Sequence, residues 1–391
     1  MIKKSFQYRL YPNDEQATLL DKHFGSARWL WNWALAEKIR VYEDKGESLS
    51  RFKLQAQIPA MKRTERPWLA EVNAQSLQAS ILFLDRAFMN FFKHKTKFPR
   101  FKKKNHRQSF QVPQRGQLDF ENCKLIIPKF LEGIRCHISR RFDGETKTFT
   151  ISKTTTGKYF VSVLVETRGE VPEKRPVTED TTIGIDVGIK DFCTLSTGEK
   201  VENPRHLKEE LKRLKVLQRR ASKKKKGSNN RKKAVLKVAK LHEKISNRRN
   251  DFLHKLTNRL TSENQVGSIA VEDLNIAGMM KNHCLAQAIA DVSWSEFNRQ
   301  LEYKCEWLGV NLLKIGRFEP SSRTCDACGT VNRDLKLSDR VWTCVCGTEH
   351  DRDYLAARNI KRFALTNDNL KYSGAGCSGE PVETRCCNGG R

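Results

Sequence analysis

The stretch TTIGIDVGIKDF, residues 181–192, decides how the C-terminal half of the chain folds. Side chains of a strand alternate between its two faces. Ile183, Ile185, Val187 and Ile189 therefore share one face, and Gly184, Asp186 and Gly188 share the other. A carboxylate inside an apolar strand is costly unless it is paired or bound to a metal. The glycines beside Asp186 are expected to leave room for an ion and a phosphate backbone. A second short apolar strand, GSIAVED (267–273), ends on Glu272, and ligands gather beyond the carboxyl ends of such strands. A third acid opens a helix. In HDRDYLAARNI (350–360) and the residues after it, Ala356, Ala357, Ile360, Phe363 and Ala364 recur at helical spacing, so a helix is expected from about 354. Asp353 stands at its start, where capping alone would account for an aspartate. Taken together, the three hard oxygen ligands suit Mg2+ or Mn2+ rather than zinc. Such a set can hold two ions about 4 Å apart for in-line phosphodiester hydrolysis.

Between the second and third acids lie Cys325-x2-Cys328 and, fifteen residues on, Cys344-x-Cys346. This is the spacing of a four-cysteine zinc site, with a glycine after each pair, Gly329 and Gly347. A closed thiolate shell leaves no open position, so one structural Zn2+ is expected. His350 is close in sequence, but the cysteines already fill the shell.

The chain has 391 residues, enough for two or three domains, and 38% of them are hydrophobic. No run of 18 apolar residues occurs, which excludes a helical membrane span, and MIKKSFQYRLYP lacks the apolar centre of a secretory signal. The formal net charge is +28. Such an excess repels itself and calls for a polyanion, nucleic acid before an anionic membrane. The twelve cysteines, four clustered and most others single, fit a reducing compartment. The expected location is the cytoplasm of a prokaryotic cell, at the nucleoid.

Working back toward the N-terminus, residues 171–180 read as a polar linker. Before it, alternating segments at 1–12 and 96–170 are expected to form one β-barrel, with a hairpin at Thr156-Gly157. A helical block, 13–95, is inserted between them. Its first helix should start at Asn13 with Gln16 and end at Gly25, a second should follow from Ala27, and two more lie near 50–62 and 74–95. The nuclease-like region occupies 181–320 and 350–367, interrupted by the cysteine ribbon, 321–349. The tail, 368–391, is expected to be flexible.

These motifs, in this order, resemble one family. IGIDVGIKDF, VEDL, SSRTCDACG…WTCVCG and HDRDYLAARNI look like the split RuvC nuclease motifs and zinc ribbon of TnpB proteins. TnpB proteins are encoded by insertion sequences and are similar to the ancestors of type V CRISPR effectors. RLYPNDEQ…GSARWLWNWAL and FPRFKKK extend the likeness to nearly the whole chain. The resemblance implies an α+β multidomain fold: a wedge β-barrel with an inserted helical recognition domain, then a RuvC-like, RNase H-like α/β domain with an inserted zinc ribbon. It implies RNA-guided cleavage of double-stranded DNA beside a short target-adjacent motif, with Asp186, Glu272 and Asp353 as the RuvC acids. The guide would be RNA from the mobile element, one protein monomer per guide. Two departures stand out: Leu355 occupies the place of the family's first Asn, and the second cysteine pair is Cys-x-Cys.

Guide RNA and heteroduplex would then lie in a positive channel held by backbone contacts. Residues 205–260 carry 21 Lys or Arg against four Asp or Glu, expected on two long helices split by SKKKKGSNN. Candidate contacts are Arg100, Lys102, Lys103 and Lys104, then Lys223, Lys224, Lys225, Lys226, Arg248 and Arg249. For the target-adjacent motif they are Arg51, Lys53, Gln75 and Gln78, since amides suit base edges. Two other readings stay open: an RNA-guided DNA-binding repressor without cleavage, and a transposase acting directly on element ends.

Overall fold

The computed structural model describes residues 2–104, 107–262, 266–336, 338–366 and 371–372. It divides into two compact units, Met1–Gly169 and Glu170–Arg391.

The first unit is built on seven strands: β1 (Ile2–Tyr11), β2 (Gln108–Val112), β3 (Gln117–Asp119), β4 (Lys124–Ile127), β5 (Phe130–His137), β6 (Glu145–Lys153) and β7 (Tyr159–Thr167). They pair antiparallel in the order β2-β6-β7-β1-β5-β4-β3. The sheet is thus a half-barrel, its edges β2 and β3 unpaired with each other, where the alternation had suggested a barrel. Its apolar face, including Tyr8, Leu10, Phe149, Val161 and Val163, buries Leu20 and Phe24 of α1 (Asp14–Lys45).

Helix α1 corrects the sequence reading. It runs 32 residues without a break at Gly25. A mid-helix glycine costs only about 1 kcal/mol relative to alanine. Burial of Leu20 and Phe24 before it and Leu30, Trp31 and Leu35 after it outweighs that, at about 1.5–3 kcal/mol per large side chain. The helix starts in a capping box of Asn13 and Gln16 and ends at Gly46, whose φ is +66°. Its second half packs with α2 (Arg51–Arg63) and α3 (Ala74–Phe92) through Leu30, Leu35, Leu54, Ile58, Leu77 and Ile81.

The second unit has a six-stranded sheet of β8 (Thr182–Val187), β9 (Asp191–Leu195), β10 (Lys200–Glu202), β11 (Ser268–Glu272), β12 (Asn311–Ile315) and β15 (Lys371–Tyr372). The order is β10-β9-β8-β11-β12-β15, with β8, β11 and β12 parallel and the others antiparallel. Helices α4 (His206–Ser222) and α5 (Asn229–Ser262) form the long basic pair, followed by α6 (Ile276–Met279), α7 (Ala286–Val292) and α8 (Trp294–Leu308). Leu253, Leu256, Ile289, Phe297 and Leu301 cover one sheet face, against Ile185, Ile269 and Leu312. Helix α9 (Arg352–Thr366) covers the other, setting Ile360 and Ala364 on Ala270 and Leu313. Because both faces are covered, β11 and β12 are apolar runs with little alternation.

The expected linker, 171–180, is stitched into this unit. The Arg175 amide donates to the Gly309 carbonyl (3.0 Å), and Asn311 Nδ2 donates to the Arg175 carbonyl (2.7 Å). The ribbon is a two-stranded hairpin, β13 (Val341–Thr343) and β14 (Glu349–Asp351), facing a bridge between Thr324 and Val331. Apart from β15, the expected flexible tail lies outside the described residues. No helix among the described residues is long and apolar enough to cross a membrane.

Candidate functional site

The parallel pairing of β8 and β11 brings the first two acids together. Ile185 stands opposite Val271, so the next residues, Asp186 and Glu272, leave neighbouring strands side by side at their carboxyl ends. The third acid comes from above the sheet. A Cβ on Gly184 would lie 2.1 Å from the Ala357 carbonyl oxygen, so only glycine lets α9 rest directly on β8. Asp353 is in the first turn of that helix, one turn before Ala357. The space beside Gly184 is therefore filled by the helix backbone rather than kept for an ion and a phosphate. Gly188 faces the Asp191 carbonyl, 2.8 Å from its would-be Cβ.

The electrostatics report the same meeting. Burial, then the charges of Glu272 and Asp353, hold the Asp186 carboxyl well above the usual range, against the opposing pull of Arg352 and Arg340. Carboxylates crowded in this way favour a bound proton or a cation. The donor set, three carboxylates and no thiol or imidazole, fits Mg2+ or Mn2+. Two of the acids have local partners: Ser321 Oγ donates to Glu272 Oε1 at 2.6 Å, and Arg340 Nη1 reaches both Asp353 oxygens at 3.1 Å. Among the described residues the three acids are not gathered within 4.8 Å of one another, as the ligating atoms of the cysteine cluster are.

Around the third acid, Asp351 caps the helix: its Oδ1 accepts from the amides of Asp353 and Tyr354, and Lys200 pairs with its other oxygen at 2.7 Å. Leu355 is buried among Leu335, Trp342, Cys325 and Cys344, so it anchors α9 in the ribbon core. Asn359, fully buried, donates through Nδ2 to the carbonyls of Ser321 (2.7 Å) and Thr324 (2.6 Å). Ser321, Arg340 and Asn359 were not singled out by sequence reasoning; SSRTC registered only as the approach to the cysteines.

The four cysteine sulfurs converge. Cys325 and Cys346 Sγ are 3.7 Å apart, and Cys328 and Cys344 Sγ 3.5 Å. Four thiolates about 2.3 Å from one zinc form a tetrahedron with edges of about 3.8 Å, so the set fits that ion. Both turns share one design: the Gly329 amide donates to the Cys325 carbonyl and the Gly347 amide to the Cys344 carbonyl, at φ +78° and +86°. The Thr330 and Thr348 hydroxyls lie 3.3 Å from Cys328 and Cys346 Sγ. Hydrogen bonding to Thr330 pulls the Cys328 thiol down to about 6, and Thr348 lowers Cys346. These two shifts favour the thiolate that a metal needs, while Cys344, despite a hydrogen bond from the Cys346 amide, is pushed the other way by burial and the neighbouring sulfurs, up to about 12.

The basic candidates divide. Lys103, Lys104 and Lys223 to Lys226 are exposed, as are Arg100, Lys53 and Gln78. Lys102 lies over the Trp31 ring (3.8 Å), and Arg51 over Phe52 (4.7 Å). Ser50 is the N-cap of α2. Gln75 is half-buried, with Oε1 enclosed and without a hydrogen-bond partner, which leaves it poorly disposed toward a base edge. Arg248 pairs loosely with Glu209 and Glu210 at 3.8 and 4.0 Å. Arg249 is half-buried and bonds Asp291 at 3.1 Å, while Asp291 accepts from the amides of Leu207 and Lys208 at the start of α4.

The chain is similar to known proteins over nearly its whole length. Residues 161–283 match the OrfB_IS605 family, described as a probable transposase. Residues 294–360 match the Cas12f1-like TNB domain. A helix-turn-helix model of the same OrfB_IS605 group matches residues 1–47, a span that here is β1 and the whole of α1. A Streptomyces pristinaespiralis protein, provisionally named an RNA-guided DNA endonuclease, is 42% identical, covering 93% of this chain and 90% of its own. Escherichia coli K12 InsQ, with the same provisional name, is 32% identical over 97% and 98%. Among solved structures, the cryo-EM structure of the Cas12f1-sgRNA-target DNA complex superposes with a TM-score of 0.57 at 15% identity, covering 95% of this chain and 99% of that one, a likeness of fold.

Proposed function

The chain belongs to the OrfB_IS605 family of transposable elements, the TnpB proteins, and on that premise we propose that it is an RNA-guided endonuclease that cuts double-stranded DNA. In this reading the second unit is a RuvC-like nuclease of RNase H-like fold, and Asp186, Glu272 and Asp353 are its catalytic acids. The observation that carries it is geometric: Asp186 and Glu272 leave parallel strands side by side at their carboxyl ends, and Asp353 stands in the first turn of the helix that rests on Gly184. The half-barrel is the wedge domain, and α1 to α3 the block that reads a target-adjacent motif. The exposed lysines at 103–104 and 223–226 contact guide and heteroduplex backbone.

When bound at the acids, two Mg2+ or Mn2+ ions would supply Lewis-acid activation of water and stabilisation of the leaving oxygen. The chain's part is positioning. Ser321 holds one oxygen of Glu272 and so aims the other. Gly184 sets the height of α9 and with it Asp353. Asp351 fixes the start of that helix without itself being needed for chemistry. The ribbon zinc is structural, and the protein acts as one monomer per guide RNA.

The test is a purified complex with its guide RNA, a target plasmid and Mg2+. Asp186→Ala and Asp353→Ala should bind target and fail to cut, while Asp351→Ala keeps cutting. Cutting by Asp186→Ala at the wild-type rate would overturn the assignment. Binding without nicking by wild type, in Mg2+ and in Mn2+, would identify a repressor instead. Strand transfer of element ends without guide RNA would identify a transposase.

A further inference from the structure

One buried group at the ribbon is not used by the four-thiolate site. His350, on β14, is 5% exposed. Its Nε2 is 3.1 Å from Cys325 Sγ. Its Nδ1 faces Asp326 Oδ1 at 3.6 Å, and Arg358 of α9 bonds the other oxygen of Asp326 at 2.8 Å. Trp342 packs on the imidazole, with ring centroids 4.7 Å apart. Cys325, Asp326 and His350 together offer ligating atoms within 4.8 Å of one another.

Two roles suit a histidine so placed: a ligand that displaces a cysteine, or a donor to a cysteine that stays bound. Distance separates them. A nitrogen and a sulfur bound to one tetrahedral zinc, at about 2.0–2.1 and 2.3 Å, stand about 3.6 Å apart. The observed 3.1 Å is shorter and belongs to an N–H···S hydrogen bond. A metal-bound thiolate offers only lone pairs, so the imidazole must donate. Cys325 itself stands at tetrahedral spacing from Cys346, at 3.7 Å, as Cys328 does from Cys344, at 3.5 Å, so no cysteine is displaced.

We propose that His350 is a positioning residue of the ribbon: it donates Nε2–H to the Cys325 thiolate, and the Trp342 ring packed against its imidazole holds it there. This rests on reading the four cysteines as a zinc site. The arrangement moderates the charge on the most deeply buried sulfur and slows exchange of that thiolate. Beside it, the Asp326–Arg358 pair ties the ribbon to the helix that carries Asp353, a second tether beside the apolar one of Leu355.

Groups in this outer shell typically change metal affinity by about 10–100-fold when removed. The experiment uses full-length protein loaded with zinc, a chelating indicator dye to follow release, and a parallel cobalt(II) substitution. His350→Phe keeps a ring against Trp342 and removes the donor. It should release zinc about 10–100-fold faster and shift the sulfur-to-cobalt charge-transfer band while leaving the d–d envelope that of four thiolates. His350→Gln restores a donor and should recover most of the wild-type rate, which a purely space-filling role would not predict. Release from His350→Phe at the wild-type rate overturns the proposal. So does a d–d envelope that changes to a mixed nitrogen–sulfur set, which would make His350 a ligand. If wild-type protein takes up no zinc, the four-thiolate reading itself fails, and that outcome is distinguishable from either.

Discussion

Replacing Gly184 by alanine isolates the contact that sets the third acid. The added Cβ would sit 2.1 Å from the Ala357 carbonyl oxygen, 2.8 Å from the Lys361 amide nitrogen and 3.0 Å from Lys361 Cβ. Two of these are backbone atoms, so no rotamer change relieves the clash. Helix α9 must lift by about 1 Å to restore ordinary contact, at a cost of about 1–3 kcal/mol for overpacking. Helices move as rigid rods, and Asp353 lies one turn from Ala357, so the carboxylate moves with the helix. A misplacement of about 1 Å in a reacting constellation can cost about 100-fold in rate. The assay is single-turnover cleavage of a guided plasmid target, alongside target binding by gel shift and zinc content by indicator dye. Cleavage should fall about 100-fold, with binding and zinc unchanged. If Gly184→Ala cuts within about threefold of wild type, a loss under 1 kcal/mol of transition-state stabilisation, then α9 does not set the position of Asp353 and the reasoning fails.

Gly25→Ala is the matching control in the other unit: a Cβ there meets nothing within 4 Å, so thermal unfolding should show stabilisation of about 0.5–1 kcal/mol. Leu355→Asn restores the residue type the family resemblance led us to expect, yet it puts an amide where Leu335 and Trp342 pack. Urea unfolding should show a loss of about 2–4 kcal/mol, with zinc lost at lower chelator concentration and no gain in cutting. Ser321→Ala removes the donor to Glu272; the Mg2+ concentration for half-maximal cleavage should rise about 10-fold while the urea midpoint stays near wild type. Lys304 is buried, with Nζ bonded only to neutral oxygens, the His254 carbonyl and Thr257 Oγ1, and burial lowers it from 10.5 to about 8. Between these values the unfolded chain binds more protons than the folded one, so stability rises with pH across that window and is flat below it. The difference in urea midpoint between wild type and Lys304→Met, followed from pH 7.5 to 10, should move in favour of wild type; a constant difference would show that Lys304 titrates normally.

What was legible in the sequence followed local rules. The apolar runs of β11 and β12 announce strands covered on both faces, and the cysteine spacing announces a tetrahedral site, since both patterns are short-range. What was not legible depended on contacts between distant segments. Gly184 was read as space for a ligand, because nothing nearby in sequence says that Ala357 will rest on it. Ser321 and Arg340 looked like ordinary polar residues until the fold set them on Glu272 and Asp353. Leu355 read as a missing amide, whereas its neighbours belong to the ribbon's apolar core.

Arg249 is different, because the signal of its buried ion pair was present in the sequence. In a run with 21 basic residues and four acidic ones, density identifies a region and says nothing about any one side chain. Helical phase does. Ile245, Arg249 and Leu253 are four apart, and both neighbours are buried, so Arg249 lies on the inward stripe of α5. A cation there needs a buried partner, and Asp291 supplies it. Arg248 is one position out of phase and exposed. The same rule favours Lys223 to Lys226, which lie beyond the last full turn of α4 with no apolar stripe to join. Neutralising those four should weaken guide RNA binding and flatten its salt dependence, by about 0.7–0.9 in the log–log slope for each phosphate that the lysines had neutralised. Arg249→Gln should instead lower stability and leave the salt slope unchanged. Measuring RNA affinity between about 50 and 200 mM salt separates the two. A reduced slope for Arg249→Gln would mean that charge density, and not helical phase, decides which residues of this run meet the nucleic acid.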